Sequence, residues 1–275
     1  MKICDLHNDY LTELKTNKEI EIYLKSQTNL KTLLSPIWTT KLKNVKTFAR
    51  QKSVFLQSLK LNYKTQICFE DMDFFDGDYD FLKSIKPLYC GLVWNNDNKF
   101  GGGAYGKGTL TQKGKNLVKN LEKQNIFVDT AHMNIQTFNA FLSQTTKPIF
   151  CSHTGFCDVV FDKRNLTKRQ IFDIVQSNGL VGLYFVGKYI KKGKATCDSI
   201  VKNIDYFVQN FGLDNLAIGT DFFGTSDLPC DVQSYYDFSI IKQKLHQIGY
   251  KTAQIDAIFH KNYENFIKCF QFFSW

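Results

Sequence analysis

The chain lacks the features that mark a membrane-spanning, secreted or modular protein. No apolar run approaches the length of about 18 residues that a membrane-spanning helix needs. Proline is scarce, at four residues, and no Pro/Gly/Ser-rich linker, low-complexity stretch or internal repeat interrupts the sequence. The 275 residues therefore read as one domain covering 1–275. The opening Met1–Tyr10 carries charge and imidazole before any apolar segment can form, which is not the pattern of a secretory signal. The eight cysteines, at 4, 68, 90, 151, 157, 197, 230 and 269, include no Cys-x-x-Cys pair. Several sit inside apolar runs, where a thiol packs as a small hydrophobe. Reduced thiols in a cytoplasmic protein are the expectation, not a disulfide framework or a cysteine-zinc site. No nucleophile elbow of the Gly-x-Ser-x-Gly kind is present.

Acid is also scarce relative to base, giving a formal net charge of +9. Residues 41–64 hold Lys41, Lys43, Lys46, Arg50, Lys52, Lys60 and Lys64 without one acid, and Lys188, Lys191, Lys192 and Lys194 form a second cluster. A basic patch can bind nucleic acid. No recognition motif is interleaved with these lysines, so they read as solvated faces and no nucleic-acid partner is expected.

What is present is a recurring unit, a short apolar run followed by a helix-like stretch. The runs are 2–9, 32–38, 65–70, 88–94, 126–132, 148–153, 180–185 and 216–221. Helices are expected over 41–61, 76–86, 111–125, 134–144, 167–178 and 198–211, the third capped by Thr111. Continuous apolar runs suit strands buried on both faces, and their alternation with helices suits a parallel sheet. Eight such units predict an α/β fold, a closed (β/α)8 barrel. Pro36 makes the second strand the weakest of the eight.

Catalytic groups of such barrels lie at the carboxyl ends of the strands. Here those ends carry His7, Asp9, Glu70, His132, His153 and Asp221, and only five histidines exist in the chain. His7 and Asp9, two apart, would share one face of a strand. A lone strand histidine is usually a hydrogen-bonded core residue, and a glutamate ending a strand is usually a solvated rim residue. Six such groups on five strands are a different matter, because buried charges there need metal or partners. Three imidazoles and three carboxylates exceed one tetrahedral zinc with an open position. They suit two ions sharing a carboxylate, which hold a hydroxide between them and polarise a carbonyl. His246 and His260, in helical sequence, read as ordinary surface or packing residues. Residues 101–108 resemble a phosphate-binding loop, but Gly108 stands where Ser or Thr is required and six residues separate the loop from the strand. A flexible loop over the barrel mouth is the expectation. At this point a nuclease or phosphoesterase on a similar metal barrel remains an alternative, although such enzymes usually open with His-x-His. So does a barrel that binds metal with impaired catalysis.

Taken in order, these motifs resemble the membrane dipeptidase family of zinc metallopeptidases over about residues 3–224. Asp5-Leu6-His7-Asn8-Asp9 looks like the family's opening strand, and Glu70 in ICFE like its metal-bridging glutamate. His132 and His153 end segments similar to two further strands, Arg164-Asn165-Leu166 is similar to its Arg-Asn-Leu segment, and Asp221 in IGTDF to its last strand. The resemblance implies a dipeptidase with two zinc ions per chain. His7 and Asp9 would hold one ion, His132 and His153 the other, and Glu70 would bridge them. Asp221 and Glu70 would be catalytic, Asp221 as acid and base, and Arg164 would bind the substrate carboxylate. A homodimer and a small dipeptide substrate are implied as well. The chain departs from the pattern after Glu70, where Asp71-Met72-Asp73 replaces Gly-Gly-His. It departs again at Trp94, which stands where the family carries a substrate-contacting histidine.

Overall fold

The structure, a computed structural model, describes residues 1–272. Its eight parallel strands are β1 (Ile3–Asp5), β2 (Leu30–Trp38), β3 (Lys64–Glu70), β4 (Tyr89–Gly91), β5 (Phe127–Asp129), β6 (Phe150–Thr154), β7 (Leu180–Leu183) and β8 (Leu216–Ile218). They close into a barrel in chain order, with β8 pairing back onto β1. This is the α/β, (β/α)8 fold expected from the runs. No helix among the described residues is long and apolar enough to cross a membrane.

Pro36 is accommodated because β2 is long and β1 short. The β1–β2 ladder ends at Leu33, whereas β2 pairs with β3 as far as Trp38. Proline therefore stands where only one neighbour remains to be paired. The same shortness corrects the placing of His7 and Asp9. Both lie beyond β1, on a segment that stays beside β8 through Leu6 N–H donating to the Ile218 carbonyl and Asp9 N–H to that of Phe222. A strand face does not align them; the turn into the helix Tyr10–Glu13 does.

The expected helices form within a few residues of their predicted bounds. Thr111 caps Gln112–Lys123 by accepting from Gly114 N–H, and the buried Gly114, Leu117, Val118 and Leu121 make one face. Lys168–Gln176 opens with a capping box between Thr167 and Gln170. One helix that the sequence reading passed over, Asn17–Ser26, joins β1 to β2 and carries its own signature, a capping box between Thr16 and Glu19.

The barrel's amino-terminal end is closed by the C-terminal helix Asn262–Phe272. Tyr263, Phe266 and Phe270 are buried against Leu34, Phe127, Phe150 and Leu180. Phe270 is thus a packed residue, while Phe273 and Trp275 lie outside the described residues, as does the side chain of Phe272. His260 is buried near Glu264 and His246 is exposed, as expected of structural histidines.

One irregularity shapes the catalytic end. The register of β6 against β7 shifts between Cys151 and Thr154, a bulge that re-aims His153. At this bulge the Ser152 carbonyl crowds β7 and β8, where a Cβ on Gly182 or Gly219 would stand 1.9 Å from its oxygen. Gly219→Ala must displace backbone rather than a flexible side chain. The expected cost is about 3 kcal/mol, seen as a midpoint roughly 6–12 °C lower in a thermal melt. An unchanged midpoint would mean that the bulge is not held by this packing.

Candidate metal centre

All six groups named from the strand ends meet at the carboxyl end of the barrel. Glu70 Oε1 is 2.8 Å from His132 Nε2, 3.7 Å from His153 Nε2 and 3.9 Å from His7 Nε2. His7 Nε2 is 3.5 Å from Asp9 Oδ2. Two groups of donor atoms result, Glu70–His132–His153 and His7–Asp9–Asp221, with the atoms of each within 4.8 Å of one another. Glu70 faces both. His132 and Asp221 reach the site from left-handed backbone, at φ of 65° and 62°. Such conformations cost about 1–3 kcal/mol each and collect at functional sites.

The imidazoles are oriented from behind by residues that sequence reasoning did not single out. Tyr89 donates its hydroxyl proton to the Leu6 carbonyl, so it accepts from His7 Nδ1 at 3.0 Å. Ser152 Oγ donates to Asp129 Oδ2 at 2.5 Å, so it accepts from His153 Nδ1 at 2.8 Å. The Asn95 side-chain carbonyl accepts from His132 Nδ1 at 3.1 Å. Each ring therefore spends its N–H outward and turns the Nε2 lone pair to the centre, as a supporting layer does for metal-binding histidines. Asp129, though close to His7 and His153, is committed to Ser152 and to the Ala131 N–H. Asp5 does the same on the opposite side, accepting from Thr220 and Tyr235 and tying β1 to β8.

Lone pairs facing lone pairs are unfavourable unless something positive lies between them. His132 Nε2 and His153 Nε2 are 3.0 Å apart, and His7 Nε2 and Asp9 Oδ1 are buried without a hydrogen-bond partner. Burial pushes the Asp9 and Asp221 carboxyls up to about 7 and the Glu70 carboxyl well above its usual range. It pushes the His132 and His153 imidazoles well below theirs. Asp221 keeps part of its surface open to the cavity while lying deep among protein atoms, which is why it titrates like a buried group. A Cβ on Gly224 would stand 2.2 Å from Asp221 Oδ1 and 2.4 Å from Asp9 Oδ2, so glycine leaves the room these carboxylates occupy. The donor set fits divalent cations of the zinc type, which take imidazole nitrogen and carboxylate oxygen together.

The centre opens into a cavity of about 190 Å³. Trp38 and Trp94 form one wall, their ring centroids 5.0 Å apart, and Trp94 is 5.9 Å from the His132 ring. Arg164 borders the cavity, nearly buried, with its guanidinium 5.8 Å from the Tyr184 ring centre and in no side-chain hydrogen bond or ion pair among the described residues. A larger cavity of about 330 Å³ lies alongside and shares His132 and Arg164 with it. The segment 101–108 borders that second cavity and is clamped rather than loose. The Asp97 carboxylate accepts from the Lys107 and Gly108 N–H groups, filling with a side chain the place an external anion would take.

A metallopeptidase from Rhodobacter sphaeroides, solved with a phosphinate mimic of the dipeptide L-Ala-D-Ala, is 18% identical, with 98% of this chain and 99% of that one covered at a TM-score of 0.82. A dipeptidase of peptidase family M19 superposes at a TM-score of 0.86 over 98% of each chain, also 18% identical. An uncharacterized Klebsiella pneumoniae protein of the pqqA 5′ region is 29% identical over 200 residues, 68% of this chain and 72% of its own. The family model of the membrane dipeptidases matches residues 37–272, a span that holds Glu70, His132, His153, Arg164 and Asp221 but not His7 and Asp9. With most of its length in that match, the chain belongs to the membrane dipeptidase family, peptidase family M19, a family of metal-dependent peptide-bond hydrolases.

Proposed function

We propose that the protein cleaves dipeptides with two zinc ions held by His7 and Asp9 on one side, His132 and His153 on the other, and Glu70 between. The observation that carries this reading is the convergence of three imidazole Nε2 lone pairs on three carboxylates, each imidazole having spent its N–H on Tyr89, Ser152 or Asn95. When bound, the cation pair supplies a water acidified to near neutrality and polarises the scissile carbonyl. Asp221, facing the same point as His7 and Asp9, takes the proton of the attacking water and returns it to the leaving nitrogen. Arg164, whose guanidinium makes no hydrogen bond or ion pair among the described residues and rests on the Tyr184 ring, holds the free carboxylate of the substrate as a bidentate fork. Trp38 and Trp94 close one side against the peptide, Trp94 offering a flat apolar wall where the family pattern has an imidazole.

The basic stretch 41–64 gives a nuclease little support. Lys41 pairs with Glu13 at 2.6 Å, Lys46 with Asp76 at 2.7 Å, and Lys52 donates to Asn17 at 2.8 Å.

Protein purified without chelator is expected to carry two zinc ions per chain by elemental analysis and to hydrolyse members of a dipeptide panel. A folded chain that takes up no offered zinc overturns the reading. Affinity should also depend on pH in one direction. Asp9 and Asp221 ionise only near 7 in the metal-free site, so below that pH a cation must displace their protons. Affinity is expected to fall by about tenfold per unit for each displaced proton between about 7 and 5.5. Competition against a chromophoric chelator measures this; a flat profile would exclude these carboxyls from the cation site.

A further inference from the structure

Beside the metal centre two tyrosines stack, Tyr184 on Tyr189, with centroids 5.7 Å apart and planes 15° from parallel. Each carries a cation on its ring. The Arg164 guanidinium is 5.8 Å from the centre of Tyr184 and the Lys188 ammonium 4.8 Å from the centre of Tyr189. All four residues line the catalytic cavity. The platform spans two neighbouring loops, Arg164 following β6 and Tyr184, Lys188 and Tyr189 following β7.

The platform is fixed from several sides. The Asp227 carboxylate accepts from Lys188 N–H at 2.8 Å, holding the turn that carries the lysine. Tyr189 meets the Tyr105 hydroxyl at 3.0 Å, and Tyr184 donates to the Asn165 side chain. Yet no carboxylate lies within ion-pair distance of the Lys188 ammonium among the described residues, and its side chain is exposed at the cavity rim. Among the described residues the only acids lining the cavity are Asp9, Glu70 and Asp221, which face the metal centre. One cation suffices for the terminal carboxylate of a dipeptide. The second makes no ion pair among the described residues and sits on a rigid aromatic support, where a cation is readily offered to an incoming anion.

We propose that Lys188 is a specificity residue, and that the preferred substrates are dipeptides whose C-terminal residue has an acidic side chain. The terminal carboxylate goes to Arg164 and the side-chain carboxylate to Lys188. This rests on the dipeptidase reading above and adds the substrate class to it.

The test is made on the full chain loaded with zinc. The substrates are Ala-Glu against Ala-Gln and Ala-Asp against Ala-Asn, each with both configurations of the C-terminal residue. The readout is the ratio of kcat/KM for acid over amide within a pair, so that any general loss of activity cancels. In the unaltered protein the ratio is expected to be about tenfold or more for at least one pair. It should shrink in about 0.5 M salt, because the discrimination is electrostatic. Lys188→Met should bring the ratio close to one, Lys188→Arg should keep it, and Lys188→Glu should invert it. Equal turnover of acid and amide, or a preference that survives in Lys188→Met, overturns the inference and leaves the dipeptidase reading standing. No turnover of any of these peptides overturns that reading and this inference with it.

Discussion

Glu70→Gln is expected to lose metal and activity together, with kcat/KM down by about 10⁴ or more, equivalent to roughly 5 kcal/mol of transition-state stabilisation. The reason is positional. One oxygen of Glu70 lies 2.8, 3.7 and 3.9 Å from the Nε2 atoms of His132, His153 and His7, so this carboxylate serves both donor groups. Glutamine keeps the shape and removes the negative charge that two cations would share. Elemental analysis should show fewer than two zinc ions per chain in the variant, alongside the kinetic loss. The fold supplies the control. Burial holds the Glu70 carboxyl well above its usual range, so ionising it in the metal-free protein costs stability increasingly as pH rises. Glutamine carries no such cost. Metal-free Glu70→Gln is therefore expected to melt no lower than the metal-free parent at about pH 8, and the difference should close as pH falls toward the ordinary carboxyl range near 4. Retention of full activity and full metal content would remove Glu70 from the centre.

The eight strands were legible because a closed parallel barrel buries both faces of every strand, and the resulting runs of apolar residues are visible without alignment. The six donor groups were legible for a related reason. One polar residue at the end of such a run is usually a solvated rim residue, but six of them on five strand ends ask for a common explanation. What supports the donors was not legible. Asp129 and Ser152 lie 23 residues apart and Tyr89 and His7 lie 82 apart. Nothing in the local sequence says that a tyrosine in LYCGLVW turns its hydroxyl on a histidine from another strand. The shift of His7 and Asp9 off the strand was hidden as well. Their spacing of two suits an extended segment, and only pairing with the β8 side reveals where the ladder stops. Lys188 is a different case. Within a lysine-rich stretch it read as one more solvated charge, and its neighbour Tyr189 gained meaning only when the fold stacked it on Tyr184.

The tail is where sequence reasoning said least and where the second large effect is expected. Ending the chain at Lys261 should abolish folding rather than trim a surface. Tyr263, Phe266 and Phe270 stop the lower end of the barrel, with Phe266 4.9 Å and Phe270 3.8 Å from the Phe127 ring centre. Truncating one buried phenylalanine to alanine costs about 3–5 kcal/mol. Removing three buried aromatics thus approaches or exceeds the whole stability of an ordinary domain, about 5–15 kcal/mol. Phe266→Ala is the measurable form of the same loss, and its melting midpoint should fall by roughly 6–20 °C. The loss should not stay at that end. Phe266 packs on Phe150, Phe150 on Tyr89 at 5.3 Å, and the Tyr89 hydroxyl accepts from His7. The aromatic stack that closes the bottom of the barrel therefore ends on the residue that aims a candidate metal ligand at the top. Phe266→Ala is expected to weaken zinc binding as well as stability, whereas Phe266→Leu, which fills most of the same volume, should recover both in part. A chain ending at Lys261 that melts like the full protein and retains its zinc would show the plug to be dispensable and the stack beneath His7 to carry no coupling.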